Sequence, residues 1–80
     1  MKQMSSLEAW RRDIEPVMTP ERAAFVRKTR VEDGSSWRGV AAECSTAWHT
    51  NWGGNQTAGM VLCQLAAAYF DEDWAKDPWN

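Results

Sequence analysis

Three side chains of this 80-residue chain are of the types that bind soft metal ions or act as nucleophiles: Cys44, His49 and Cys63. Structural zinc takes four Cys or His ligands, so a fourth ligand here would have to be a carboxylate. Cys44 lies on the apolar stripe of a predicted helix, and a free cysteine packs as a small apolar group. We therefore expect no metal or cofactor. If the third and fourth helices are neighbours, the two sulfurs come close enough for a disulfide under oxidation.

Catalysis would require an activated nucleophile, acid or base. Neither cysteine stands at a helix N-terminus or beside a basic cluster that would stabilise a thiolate. The acids Asp71, Glu72 and Asp73 are consecutive, as in a solvated turn, and Gly53-Gly54 lacks the flanking pattern of a phosphate-binding loop. A chain of this length also leaves little room for a substrate-sized cleft. We expect a protein that is not an enzyme.

Charge is distributed unevenly along the chain. The net charge is −2; residues 1–40 carry eight Lys or Arg and six Asp or Glu, and residues 41–80 carry one and five. The most basic part yields the candidate nucleic-acid contacts, Arg27, Lys28, Arg30 and Arg38. Domains that bind nucleic acid are usually net basic, whereas this chain is net acidic. We therefore treat nucleic-acid binding as the alternative function rather than the preferred one.

Tryptophan is the most over-represented residue type, with six copies. Each ring brings roughly 150–250 Å² of surface that can be buried, and tryptophan is enriched in binding hot spots. Together with the central helix, these rings offer more large apolar groups than so small a body can easily hide. Elimination from the core pattern leaves four candidate interface contacts: Trp52, Met60, Trp74 and Trp79. The preferred function is a small non-enzymatic protein-interaction or regulatory module, whose partner is another protein or a second copy in a homo-oligomer.

Helices must position all these side chains, because the apolar spacing is helical and no segment alternates like a strand. Helix starts are indicated by a capping box at Ser5, by Thr19-Pro20, by Ser36 and by Asn55. The sequence predicts an all-α fold, a compact four-helix bundle followed by a Trp-containing tail at residues 71–80 that docks on the body. The helices are expected at about residues 5–15, 20–33, 36–48 and 55–70. Val31 does not fall on the Phe25 face, so the second helix is either buried on two sides or unwound at its end.

The fourth helix is the element around which the others are expected to pack. From Ala58 to Phe70 only Gln64 is strongly polar, and a helix so nearly apolar all round belongs in the middle of a bundle. Its small residues, such as Gly59, allow close approach of a neighbouring helix. The buried side is predicted as Ala58, Val61, Leu62, Leu65 and Tyr69, and the narrow outer edge as Gln56, Met60, Gln64 and Asp71.

The segment 21–48 resembles the opening two helices of helix-turn-helix domains. The resemblance is carried by GSSWRGVA at residues 34–41, similar to the G-x-S-W-R-x-(V/I)-A pattern of bacterial and phage regulators. It implies a bacterial or phage origin, a helix-turn-helix-like core, and a DNA-binding transcriptional regulator that uses the basic second helix. The following helix departs from the family, because no Lys or Arg lies between Arg38 and Lys76 to contact phosphates.

No targeting or membrane segment is predicted. Residues 1–7 are polar and no apolar stretch of signal-peptide length follows them. The apolar run near residues 58–70 is shorter than the roughly 20 residues that span a bilayer. We expect a cytoplasmic protein with reduced thiols and no membrane partner.

Overall fold

Each of the last three helices begins directly after a residue whose side chain caps it. The computed structural model describes residues 6–75. The side chains of Thr19, Ser36 and Asn55 each accept a hydrogen bond from the backbone N–H three residues later, at 3.0–3.2 Å. Within the described residues there are four α-helices and no strand, which confirms the all-α class. The helices are α1 (Ser6–Ile14), α2 (Pro20–Arg27), α3 (Trp37–Trp48) and α4 (Gln56–Tyr69).

The first two helices end differently from the expectation. After α1 the chain forms a single 3-10 turn over Glu15–Val17, where Pro16 prevents continuation of the α-helix. α2 continues from Arg27 as a π-helical segment over Lys28–Glu32. A π turn holds more residues than an α turn and so changes which side chains share a face. Val31 consequently points away from the core and is 45% exposed. Of the two alternatives for the second helix, burial on two sides is therefore wrong, and the helix departs from α-helical geometry at its end.

α4 occupies the centre of the molecule, as expected. α1, α2 and α3 all pack on α4, whereas α2 and α3 touch each other much less. Nine of the fourteen α4 residues are buried. The other helices add fully buried side chains to the same core, including Ile14, Val26, Val40 and Cys44.

Helices α3 and α4 approach each other closely at Gly59. A Cβ atom added there would overlap the carbonyl oxygen of Trp37 and would lie 2.6 Å from its carbonyl carbon. The backbone of the first turn of α3 therefore rests directly on α4, and only a residue without a side chain fits between them.

The predicted outer edge of α4 is wrong at Met60, and its predicted inner side is wrong at Tyr69. Met60, which was also a candidate interface contact, is 2% exposed, whereas Tyr69 is 51% exposed and Phe70 is 37% exposed. Because three helices pack on α4, the side of the helix that carries Met60 is covered. Tyr69 and Phe70 continue the apolar pattern, but they lie on a side of the helix end that the described residues leave open.

The chain after α4 turns back onto the core. Trp74 is half-buried against the core and Ala75 is buried. Trp79, the other predicted contact of the tail, lies outside the described residues. Among residues 6–75, no helix combines the length and the apolar character needed to cross a bilayer.

Candidate functional site

Trp52 and Trp74, the two predicted interface tryptophans that the structure describes, both contact other residues of the protein. Trp52 stands edge-on to Trp48, with ring centroids 5.9 Å apart, and Trp48 in turn contacts Phe25. The Nε1–H of Trp74 donates to Glu72 Oε1 at 2.8 Å. Both rings are half-buried against the core, so only part of each is open to a partner.

Three of the four predicted nucleic-acid contacts have partners within the protein. Arg27 donates to both carboxylate oxygens of Glu72, at 2.7 and 3.2 Å, and Lys28 Nζ lies 3.8 Å from Asp33. The guanidinium of Arg30 lies over the Trp37 ring at 3.7 Å and donates to the Ser35 carbonyl oxygen at 2.6 Å. Arg38 is exposed and, of these four, alone lacks a polar partner within residues 6–75.

The soft ligands predicted from the sequence do not form a metal site. Cys44 and Cys63 are free, buried thiols, and burial raises the pKa of each to about 12. At neutral pH such groups stay protonated and are weak nucleophiles. His49 is exposed at the end of α3 in a left-handed conformation, with φ of 57°. In the described part of the chain, no three His, Cys, Asp or Glu side chains gather where they could hold a metal ion.

A groove of about 460 Å³ lies between α1 and the C-terminal half of α4. Its apolar surface comes from Leu7 of α1, Ala67 and Ala68 of α4, and Ala75 beyond α4. The sequence did not reveal this groove, because its walls come from both ends of the chain. The polar side chains that line it are Arg11, Gln64, Asp71, Glu72 and Asp73.

Gln64 also lines the groove, and its side chain is only partly exposed. Its Oε1 atom is buried and has no hydrogen-bond partner among the described residues. Buried polar atoms are almost always paired, and leaving one unpaired costs about 1–3 kcal/mol. In the sequence, Gln64 is the only strongly polar residue between Ala58 and Phe70, and it was predicted to lie on the outer edge of the helix.

Asp71 lies in the groove wall at the end of α4. Its φ is 54°, a left-handed conformation that Asn and Asp adopt more readily than other L-residues with a side chain. The conformation closes α4 with a Schellman motif, in which Glu72 N–H donates to Ala67 O at 2.8 Å and Asp71 N–H to Ala68 O at 3.1 Å. The carboxylate also stands at the negative end of the helix dipole. This end of the groove wall therefore carries a negative charge that the helix dipole does not stabilise.

The carboxylates of the groove differ in how far they are neutralised. Arg27 and the Trp74 N–H bind the Glu72 carboxylate and hold its pKa below the usual range. Asp71 and Asp73 are exposed, and their carboxylates have no polar partner among residues 6–75. On the opposite wall, Arg11 lies 3.9 Å from Glu15. The groove therefore presents a net negative charge beside an apolar floor.

No protein-family model matches this sequence, and no curated protein or solved structure is significantly similar to it. An argument about function therefore depends on the residues themselves. Within the described residues, the groove combines an apolar floor with the unpaired carboxylates of Asp71 and Asp73.

Proposed function

We propose that this protein is a small non-enzymatic interaction module that binds a basic segment of a partner protein in the groove between α1 and α4. The observation that carries the proposal is the groove itself, which combines apolar walls with the free carboxylates of Asp71 and Asp73. Lys and Arg bury their aliphatic stems against apolar surface while the charged end stays near polar groups. Leu7, Ala67 and Ala68 suit such a stem, and the carboxylates suit the charge.

The size of the groove supports a side chain or a short extended segment as the occupant. A space of about 460 Å³ lies in the range of small-ligand pockets rather than of domain interfaces. We place the module in the cytoplasm, where the free thiols of Cys44 and Cys63 stay reduced.

The alternative is a DNA-binding regulator of the helix-turn-helix type. Arg38 supports it, because this side chain is exposed in the first turn of α3. Arg27, Lys28 and Arg30 weigh against it, since each would have to leave an internal partner to reach a phosphate. We therefore place this function second.

Fluorescence anisotropy with a labelled peptide of alternating Leu and Arg tests the proposal; the reference is the same peptide with Glu in place of Arg. We expect only the cationic peptide to bind. Ala68→Lys, which fills the groove and repels cations, should abolish binding. Ala24→Lys is the matched control, because Ala24 is also an exposed helical alanine, in α2, and does not line the groove. It should bind as the unmodified protein does.

Several outcomes would overturn this function. Equal binding by the Ala68→Lys and Ala24→Lys variants would remove the groove from the argument. A generic DNA duplex bound at about 50 mM salt and released at about 200 mM would favour the regulator instead. Sedimentation showing a dimer that Ala68→Lys dissociates, together with no peptide binding, would make a second copy the occupant.

A further inference from the structure

We propose that residues 76–80 of this chain occupy the groove between α1 and α4 through the ring of Trp79, and that this contact competes with the basic segment of a partner. The competition rests on the function proposed above, whereas the contact does not depend on it. Residues 76–80 lie outside the described part of the chain. Three observations support this occupant: the position of Ala75, the length of the segment, and the packing of the other tryptophans.

The described chain ends in the wall of the groove. Ala75 is buried and is itself a lining residue, so the segment that follows begins at the groove. Trp79 is four residues further on, and four residues reach at most about 14 Å when fully extended. Trp79 is therefore restricted to the surface around Ala75, and the groove is a concave part of that surface.

The other tryptophans of the chain all pack against the core. These five rings are partly buried there: Trp10, Trp37, Trp48, Trp52 and Trp74. Each tryptophan ring that is buried withdraws roughly 150–250 Å² from water, and the same gain favours burial of the sixth ring. The groove offers apolar surface for it, because Leu7 is partly exposed and Ala68 is exposed.

The indole N–H of a buried tryptophan needs a hydrogen-bond acceptor. The turn after α4 already supplies one to a neighbouring ring, since the Nε1–H of Trp74 donates to Glu72 Oε1 at 2.8 Å. Asp71 and Asp73 bring further carboxylates to the same wall, without a polar partner within residues 6–75. The groove therefore matches both the apolar ring of Trp79 and its single donor.

The segment and the proposed partner bind by different means. Lys76 and Asp77 carry opposite charges, so the segment is neutral and its docking depends on the ring of Trp79. A cationic partner gains in addition from the carboxylates of the groove. Because the segment is attached beside its site, it competes at an effective concentration of the order of millimolar. The contact therefore keeps out weak or neutral ligands and yields to a strongly cationic one.

Fluorine NMR of the full chain labelled with fluorotryptophan tests the contact. The resonance of Trp79 is the one that disappears in Trp79→Phe. In the unmodified protein we expect this resonance to be protected from a soluble paramagnetic probe, compared with the same protein in urea. Ala68→Lys, which fills the groove, should remove the protection, whereas Ala24→Lys, outside the groove, should keep it.

Fluorescence anisotropy with the labelled Leu and Arg peptide tests the competition. Trp79→Ala should bind the peptide about tenfold more tightly than the unmodified protein, which corresponds to a groove that the segment fills about nine-tenths of the time. Asn80→Ala is the matched control, because it changes the same segment but keeps the ring. It should bind as the unmodified protein does.

The possible failures are distinguishable. A Trp79 resonance as accessible in the unmodified protein as in urea would overturn the contact, while peptide binding would leave the proposed function standing. Protection that survives Ala68→Lys would overturn the groove as the docking place, and protection lost on dilution would overturn the intramolecular contact in favour of a second copy. Equal peptide affinity in Trp79→Ala and the unmodified protein would overturn the competition. A protected ring with no peptide bound, even by Trp79→Ala, would overturn the proposed function and keep the contact.

Discussion

Ser45 is a single hydroxyl group that organises the connection between α3 and α4. Helical periodicity places it on the outer side of α3, yet it is only 8% exposed. Its Oγ donates to the Thr50 carbonyl oxygen at 2.7 Å and accepts from Thr50 Oγ1 at 3.1 Å and from Gly53 N–H at 3.2 Å. The loop after α3 therefore folds onto Ser45, which is why a position that looks exposed on an isolated helix is buried.

Ser45→Ala should lower the free energy of unfolding by about 1–3 kcal/mol, because the substitution leaves the loop groups at Thr50 and Gly53 without their partner. Urea denaturation followed by tryptophan fluorescence measures the change. Thr46→Ala, at the exposed neighbouring position of α3, is the control and should stay within about 0.5 kcal/mol. Equal losses in the two variants would show that the hydroxyl of Ser45 is not what holds the loop.

The buried thiols lead to a second prediction at the residue scale. Since the pKa of Cys44 and of Cys63 is raised to about 12, both should react slowly with a thiol-specific reagent at neutral pH. Unfolded cysteines release their protons near about pH 8.5, so stability should fall as the pH rises from there towards 12. Labelling rates with and without urea measure the protection. Rapid labelling of the native protein at pH 7 would contradict it.

At the scale of elements, the contact between α3 and α4 depends on the absence of a side chain at Gly59. The fourth helix is nearly apolar throughout, but apolar residues alone do not determine how closely a neighbour approaches. With Gly59, the backbone of Trp37 in the first turn of α3 contacts α4 directly. This contact holds in place the start of α3, the helix that carries Cys44 and Ser45.

Gly59→Ala should destabilise the protein. Alanine gains about 1 kcal/mol in helix propensity, but its Cβ would overlap backbone atoms of Trp37, and such overpacking typically costs about 1–3 kcal/mol or more. Thermal unfolding monitored by circular dichroism measures the balance. In Gly54→Ala, the control, the new Cβ would lie 3.7 Å from the nearest atom, an ordinary contact distance. A higher melting temperature for Gly59→Ala than for the unmodified protein would show that α3 can move away from α4.

At the scale of the whole molecule, the ion pair of Arg27 and Glu72 joins parts of the chain that are 45 residues apart. It attaches the end of α2 to the turn after α4, and Trp74 donates to the same carboxylate. The pair is exposed at the surface, so its contribution is modest and sensitive to salt. Its position matters more than its strength, because this turn also forms one end of the groove.

The pH dependence of stability tests this attachment. The pKa of Glu72 is lowered by Arg27 and Trp74, so its stabilising effect is present above the ordinary carboxyl pKa of about 4.3 and is lost as the pH falls through the folded value. Glu72→Gln should therefore melt at a lower temperature than the unmodified protein at neutral pH. The difference should disappear in acid. A difference that persists unchanged at the acid end would show that the charge of Glu72 is not responsible.

Much of the fold could be predicted because the signals were local. Caps at Thr19, Ser36 and Asn55 mark the helix starts through hydrogen bonds that span three residues. The groove could not be predicted in the same way. It needs Leu7 from one end of the chain and Ala75 from the other, and no spacing within either segment reports that they meet.

The sequence by itself determined the helical class and the apolar character of α4, because helix caps and a 3.6-residue period act between near neighbours in the chain. The tertiary structure decided which turns of α4 are covered. Met60 is buried and Tyr69 is exposed because the neighbouring helices cover one side of α4 at each of these positions and not the other. It also decided that Arg27, Lys28 and Arg30 bind partners within the protein, and that the buried oxygen of Gln64 has no partner among the described residues. Burial and pairing depend on which distant segments become neighbours, and that is settled only when the chain packs.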